Sequence, residues 1–243
     1  MNYVQGLMQA TVFALAVASA GYSTSTLAAD RDDDDVAWFG INAKPYGVSY
    51  SEWSARWWQH MVSTPSGDNS LIDAGGNKCS TGQSGPVWLL AGNLGGVSQR
   101  NCDVPAGTAL YFPIYNFIGA NTPNVCFQDA NDLSVADLRA QGKGFVDAVT
   151  SLNVELDDKP IPRLFDRRYR STAFSLTVPS DNVFNAGCEG LPRGIYSPAI
   201  DEGYYVMLKP LPVGKHVLRI RSDASGFGVD VTYNLTIVPV VLR

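Results

Sequence analysis

Between residues 229 and 237 apolar and polar side chains alternate without a break. Val229, Val231, Tyr233, Leu235 and Ile237 share one parity, and Asp230, Thr232, Asn234 and Thr236 the other. A period of two predicts a strand with one face on a core and one face in water. Leu152, Val154 and Leu156 alternate in the same way with Asn153 and Glu155, and Phe174, Leu176 and Val178 with Ser175 and Thr177. His216–Arg221 reads as a further strand. Pro86–Ala91 reads as a buried strand, Thr108–Ile114 as a strand rich in aromatics and Tyr204–Leu208 as an uninterrupted apolar strand. Turns fall at Gly92, Gly95 and Gly96, at Val104–Gly107, at Asp157–Pro160 and at Pro210–Gly214.

Two stretches change period. After Gly47, Ser49 and Glu52 have the spacing of a capping box, and Trp53, Trp57 and Met61 recur every fourth residue as one apolar stripe. Glu52, Arg56 and His60 form a neighbouring polar stripe. Trp58 lies off the apolar stripe and is expected to face a different surface. Pro65 and Gly67 end this helix. From Asp132 to about Ser151, Ser134 with Asp137 resembles a second capping box, and Val135, Leu138, Phe145 and Val149 supply apolar positions. Gly142 and Gly144 weaken its middle, which predicts one kinked helix or two short ones. The whole predicts a mainly β chain, an antiparallel β-sandwich of jelly-roll or Ig-like type, with an N-terminal helix and a helical insertion. No internal repeat or linker divides residues 41–243.

The first 29 residues carry no charged side chain. An apolar core from Thr11 to Ala20 leads through small polar residues to Ala28 and Ala29, which predicts a secretory signal peptide over 1–29, although its n-region has no Lys or Arg. The stretch is too short for a spanning helix and no second one occurs, so no stable membrane insertion is expected after cleavage. Residues 30–40 are predicted to be an acidic, flexible N-terminus. Its run Asp30–Asp35 holds five Asp and one Arg, which leaves the rest of a chain of net charge −5 nearly neutral. A near-neutral body argues against nucleic acid as a partner. Export places Cys79, Cys102, Cys126 and Cys188 in an oxidising compartment. Of the three possible connectivities, Cys79–Cys102 with Cys126–Cys188 is favoured. No Cys-x-x-Cys pair suggests a metal.

Several segments together resemble a family of uncharacterised secreted bacterial proteins. They are Tyr46–Trp53 with Trp57–Gln59, Gly82–Gly92 (GQSGPVWLLAG), Cys102–Leu110, Val154–Asp157 and Pro212–His216. The resemblance implies export and a β-rich fold. It transfers no catalytic residue.

Candidate chemistry is sparse. His60 and His216 are the chain's two histidines. There is no Gly-x-Ser-x-Gly elbow and no His-Glu-x-x-His pair. His216 shares the inward parity of Leu218 and reads as structural. Asp157-Asp158 and Asp201-Glu202 are expected in turns, where neighbouring carboxylates diverge. Arg163–Arg170 is the one basic concentration and reads as a solvated loop, with an anionic ligand as the alternative. The candidate ligand-binding set is therefore Glu52, Arg56, Trp58 and His60 on the first helix. Neither cofactor nor metal is expected. The sequence points to a secreted or periplasmic, non-enzymatic binding or structural protein. Its partner would be a small molecule, a glycan or an envelope component. The alternative is a secreted hydrolase using Glu52 or His60 in a cleft beside the tryptophans. N-terminal sequencing of exported protein should begin near Asp30; an intact Met1 on membrane-extracted protein contradicts the signal-peptide reading.

Overall fold

The computed structural model describes residues 37–184 and 190–240. The signal segment, the acidic run and Cys188 lie outside the described residues. The alternating and apolar stretches become strands and the two longer periodic segments become helices. In chain order the elements are α1 (Tyr50–Ser63), β1 (Val87–Leu89), β2 (Gly96–Pro105), β3 (Ala109–Ala120) and α2 (Val135–Asp147). There follow β4 (Val149–Leu156), β5 (Lys159–Pro160), β6 (Arg168–Arg170) and β7 (Phe174–Val178), and then the long β8 (Gly194–Leu208), β9 (Gly214–Ala224) and β10 (Phe227–Val238).

These strands form two open, five-stranded sheets. The first has the order β1-β3-β8-β6, with β7 also on β8, and the second has the order β2-β10-β9-β4-β5. The expectation of an all-antiparallel fold is corrected here. β1 runs parallel to β3, and β2 runs parallel to β10 from Gly96↔Val229 to Pro105↔Val238. The chain passes from one sheet to the other and back between β1 and β3, so these strands pair with non-sequential neighbours. Residue periodicity sets which face is buried but carries no information about the direction of a distant partner.

Packing explains why some strands alternate and others do not. Leu110 and Phe112 of β3 and Val206 and Leu208 of β8 share one core with Val154, Leu218, Ile220, Val231 and Leu235 of the second sheet. The opposite face of the first sheet, including Tyr111, Tyr205 and Met207, is covered by Trp53, Trp57 and Met61 of α1. The first sheet is thus a middle layer, and its strands must be apolar on both sides. The second sheet has one outer face, which is why β10 keeps its strict alternation.

Local details follow from the sequence with two departures. Ser49 Oγ accepts the Glu52 amide at 3.2 Å, but the Glu52 carboxylate turns to Arg56 at 2.6 Å, so only half of that capping box forms. The Ser134–Asp137 box is complete. α2 runs unbroken through both glycines, contrary to the expected kink. At Gly142 a Cβ would stand 2.9 Å from Phe117 Cδ1, so glycine there permits the helix to lie close on β3.

β2 had no apolar signature, because its inward positions are Ser98, Arg100, Cys102 and Val104. Arg100 is buried, and its guanidinium donates to the carbonyls of Ala91 and Gly92 at 2.8 Å each, to Asp73 O at 2.7 Å and to the Tyr233 hydroxyl at 2.8 Å. It thereby satisfies loop carbonyls that would otherwise be buried unpaired. The expected Cys79–Cys102 disulfide pins the same loop to β2. Cys126 is disulfide-bonded as well. Residues 37–39 run beside the end of β8, with Phe39 N on Met207 O at 2.9 Å and Lys209 N on Ala37 O at 2.8 Å. Among the described residues no helix is long and apolar enough to cross a membrane.

Two glycines two positions apart should respond to the same substitution with opposite sign. Gly142→Ala should destabilise by about 1–3 kcal/mol through overpacking against Phe117. Gly144 has nothing within 4 Å, so Gly144→Ala should stabilise by about 0.5–1 kcal/mol through helix propensity. Trp57→Ala should cost about 3–5 kcal/mol. Urea unfolding of the three variants measures all of these.

Candidate functional site

The centre of β8 carries two adjacent carboxylates, Asp201 and Glu202, both fully buried. They had been expected in a turn; instead they interrupt a two-sided apolar strand. Strand alternation sends them to opposite faces of the first sheet. Asp201 points toward α1, where Trp58 Nε1 donates to its Oδ1 at 2.8 Å and the Tyr205 hydroxyl donates to the same oxygen at 2.5 Å. Asn116 in turn donates to the Tyr205 hydroxyl at 3.0 Å, and the Tyr205 ring stacks on Tyr111 at 5.3 Å. Asp201 Oδ2 has no hydrogen-bond partner. Burial pushes the Asp201 carboxyl up to about 7, and the neighbouring Tyr205, Ser54 and Trp58 donors offset only part of that push.

Glu202 faces the other way, into the arginine segment. Arg168 Nε contacts its Oε1 at 2.7 Å and Arg170 Nε at 3.0 Å, while Arg168 Nη1 reaches Asp147 of α2 at 2.6 Å. Arg163 pairs with Asp166 at 2.8 Å, and the buried Arg167 donates to Phe39 O at 3.1 Å. Arg167 and Arg168 are therefore turned inward, while Arg163 stays in an exposed local ion pair with Asp166 and Arg170 reaches Glu202 from an exposed position. Arg139 of α2 completes the clamp through Asp201 O at 2.9 Å and the Ser171 carbonyl. Two carboxylates on opposite faces, neither reaching solvent, cannot act together on one substrate. What they do is fasten α1, α2 and β6 to one strand.

An open cavity lies next to this clamp. In the β3–β8 register Phe117 stands opposite Glu202 and Ile118 opposite Asp201. Beyond them, the last residues of β3, the loop 121–133, α2 and the β7–β8 end enclose about 660 Å³. Phe117 and Phe145 meet at 5.0 Å along one wall, and Leu176, Leu191 and Tyr196 line another. The loop is braced by Gln128, whose Oε1 accepts Thr122 N at 2.6 Å and whose Nε2 donates to Asn121 Oδ1 at 2.7 Å and Asn131 O at 2.8 Å. Within it Cys126 and Phe127 take left-handed backbone angles, φ 51° and 65°, and Phe127 is 86% exposed at the cavity mouth. Bulky residues adopt that region only when their surroundings hold them there, and such strain gathers at ligand sites.

The residues singled out from the sequence sit elsewhere. Glu52 and Arg56 form an exposed ion pair at 2.6 Å, with Arg56 over the Trp53 ring at 5.0 Å. Trp58 is 5% exposed, not open at a groove, and stands edge-on to Trp57 at 4.9 Å. His60 is half-buried with its ring against Gly82. The four share α1, but none lines the cavity. His216 is held as a structural residue, Nδ1 to Asp157 at 2.7 Å and Nε2 to Pro212 O at 2.9 Å. Asp157 and Asp158 do occupy the β4–β5 turn, both at positive φ. Among the described residues no group of three or more His, Cys, Asp or Glu could hold a metal ion. The overlooked signals were an Asp-Glu pair inside an apolar run and four arginines able to neutralise it.

No family model, curated protein or solved structure matches this chain.

The buried carboxyl sets a pH dependence. Asp201 titrates near 7 when folded and near 3.8 in its ordinary state, so the folded protein keeps a proton that the unfolded chain releases. Its contribution to stability is greatest below the unfolded value and declines as pH rises to about 7. His60 runs the other way. Burial holds it below 6.5, so its contribution is present above that value and is lost as pH falls through the folded one. The urea midpoint of wild type relative to Asp201→Asn should fall between pH 5 and pH 8. The variant alone should retain the rise due to His60. A constant difference between the two proteins across that range contradicts the assignment.

Proposed function

We propose that this chain is an exported, non-enzymatic binding protein that holds a small apolar molecule in the cavity between the end of β3, α2 and the 121–133 loop. The scaffold in this reading is a two-layer β-sandwich covered on one side by α1. The observation that carries the reading is the cavity itself. Its volume of about 660 Å³ is in the range of small-molecule sites, and aromatic and aliphatic side chains dominate its walls. An exposed phenylalanine stands at its mouth, available to close over an occupant. Reactive pairs are missing from its described lining: Thr122 is the one hydroxyl of the serine or threonine type, and it donates to Val125 O at 3.3 Å. The Cys79–Cys102 disulfide supports an oxidising compartment. The hydrolase alternative has less support, because Glu52 is engaged by Arg56 and neither Glu52 nor His60 reaches the cavity.

Titration of the mature protein with the neutral fluorophore N-phenyl-1-naphthylamine tests this reading. Saturable binding is expected. Phe145 is 58% exposed, so Phe145→Asp should fold and should weaken binding by roughly tenfold or more by placing a charge against the apolar wall. Glu52→Gln and His60→Ala should bind as wild type. Absence of saturable binding, or loss of it in the α1 variants alone, contradicts the proposal.

A further inference from the structure

The charge and hydrogen-bond inventory of the cavity allows its occupant to be narrowed, on the condition that the cavity is the binding site. We infer that it selects an organic cation, an amine or quaternary ammonium on an aromatic or apolar body, and discriminates against anionic amphiphiles. The described lining includes the rings of Phe117, Phe127, Phe145 and Tyr196, and aromatic faces attract cations. Among the described lining residues there is no Lys, Arg or His, and Asp129 is the one carboxylate. Asp129 is exposed at the cavity edge, and its Oδ1 accepts the Asn131 amide at 2.8 Å.

Three of the side-chain donors on the wall are already engaged. Gln128 Nε2 is bound to Asn121 and Asn131, the Thr122 hydroxyl to Val125 O, and the Tyr196 hydroxyl to Pro192 O at 2.8 Å. Burial raises the Tyr196 phenol, so that ring stays neutral. The cations of the neighbouring helix are likewise turned away: Arg139 to the Asp201 and Ser171 carbonyls, and Lys143 to Asp147. Gln141 is the remaining side-chain amide on the wall. An anion entering this space would lose hydration and, among the described lining side chains, would meet one carboxylate and no cationic group.

Three naphthalene compounds of similar size separate the possibilities on the full mature chain: neutral N-phenyl-1-naphthylamine, its sulfonated relative 8-anilinonaphthalene-1-sulfonate, and (1-naphthylmethyl)trimethylammonium as a competitor. The ammonium compound should displace the neutral probe, and the sulfonate should bind at least about tenfold more weakly than the neutral one. In Asp129→Asn, which keeps the Oδ1 acceptor for Asn131, affinity for the ammonium compound should fall by roughly threefold to fivefold, while the neutral probe binds unchanged. Added salt should weaken the ammonium compound and leave the neutral probe unaffected. Equal binding of the sulfonate and the neutral probe, or an Asp129→Asn variant that binds the ammonium compound as wild type does, overturns the charge selection while the cavity keeps its role. Failure of all three to bind overturns the cavity reading itself.

Discussion

From Ala199 to Leu208 strand β8 is buried on both faces, and the layers of the molecule are arranged around that constraint. One side must be covered by the second sheet and the other by the tryptophan helix. Any polar group on the strand has to bring its own partners. Asp201 and Glu202 do so in different ways. Glu202 recruits the guanidinium groups of Arg168 and Arg170, and through Arg168 reaches Asp147 on α2. Asp201 takes neutral donors, Trp58 and Tyr205, and keeps one oxygen unpaired. A buried charge with an unmet acceptor is costly, and the carboxyl answers by holding its proton to near neutral pH.

The cavity arises from a mismatch in strand length. β1 has three residues against the twelve of β3, so the far end of β3 lacks a strand neighbour on that side. A loop and a helix fill the gap less completely than a strand would. Gln128 ties the loop to itself, and the disulfide-bonded Cys126 holds it beside Phe127. The close approach of α2 at Gly142 sets Phe117 and Phe145 side by side. The acid–arginine clamp ties the same helix to β6 and β8. Fold support and cavity are in this sense one construction, with the acid–arginine groups paired inside the fold and apolar side chains predominating on the cavity wall.

Much of the framework was legible in the chain. Helix α1 and its cap, β7 at its exact length, the alternation of β10, the β4–β5 turn and the first disulfide all follow from local patterns, because each depends on residues a few positions apart or on compartment chemistry. The inward face of β2 was illegible, since Ser98 and Arg100 look solvent-directed until the loop carbonyls around Arg100 are known. Gly142 and Gly144 look alike in sequence, and only the position of Phe117 distinguishes a packing glycine from an idle one.

The sequence by itself determined which residues tend to strand or helix and which face of each strand is apolar, because those preferences reside in local backbone sterics and side-chain period. Tertiary structure alone decided that β1 and β2 pair in parallel with distant partners, that Trp58 turns inward to a carboxylate, and that Arg168 and Arg170 converge on the buried Glu202. It also decided where open space remains. Partner direction, charge neutralisation and cavity shape are properties of groups far apart in sequence, and no local pattern encodes the distance between them.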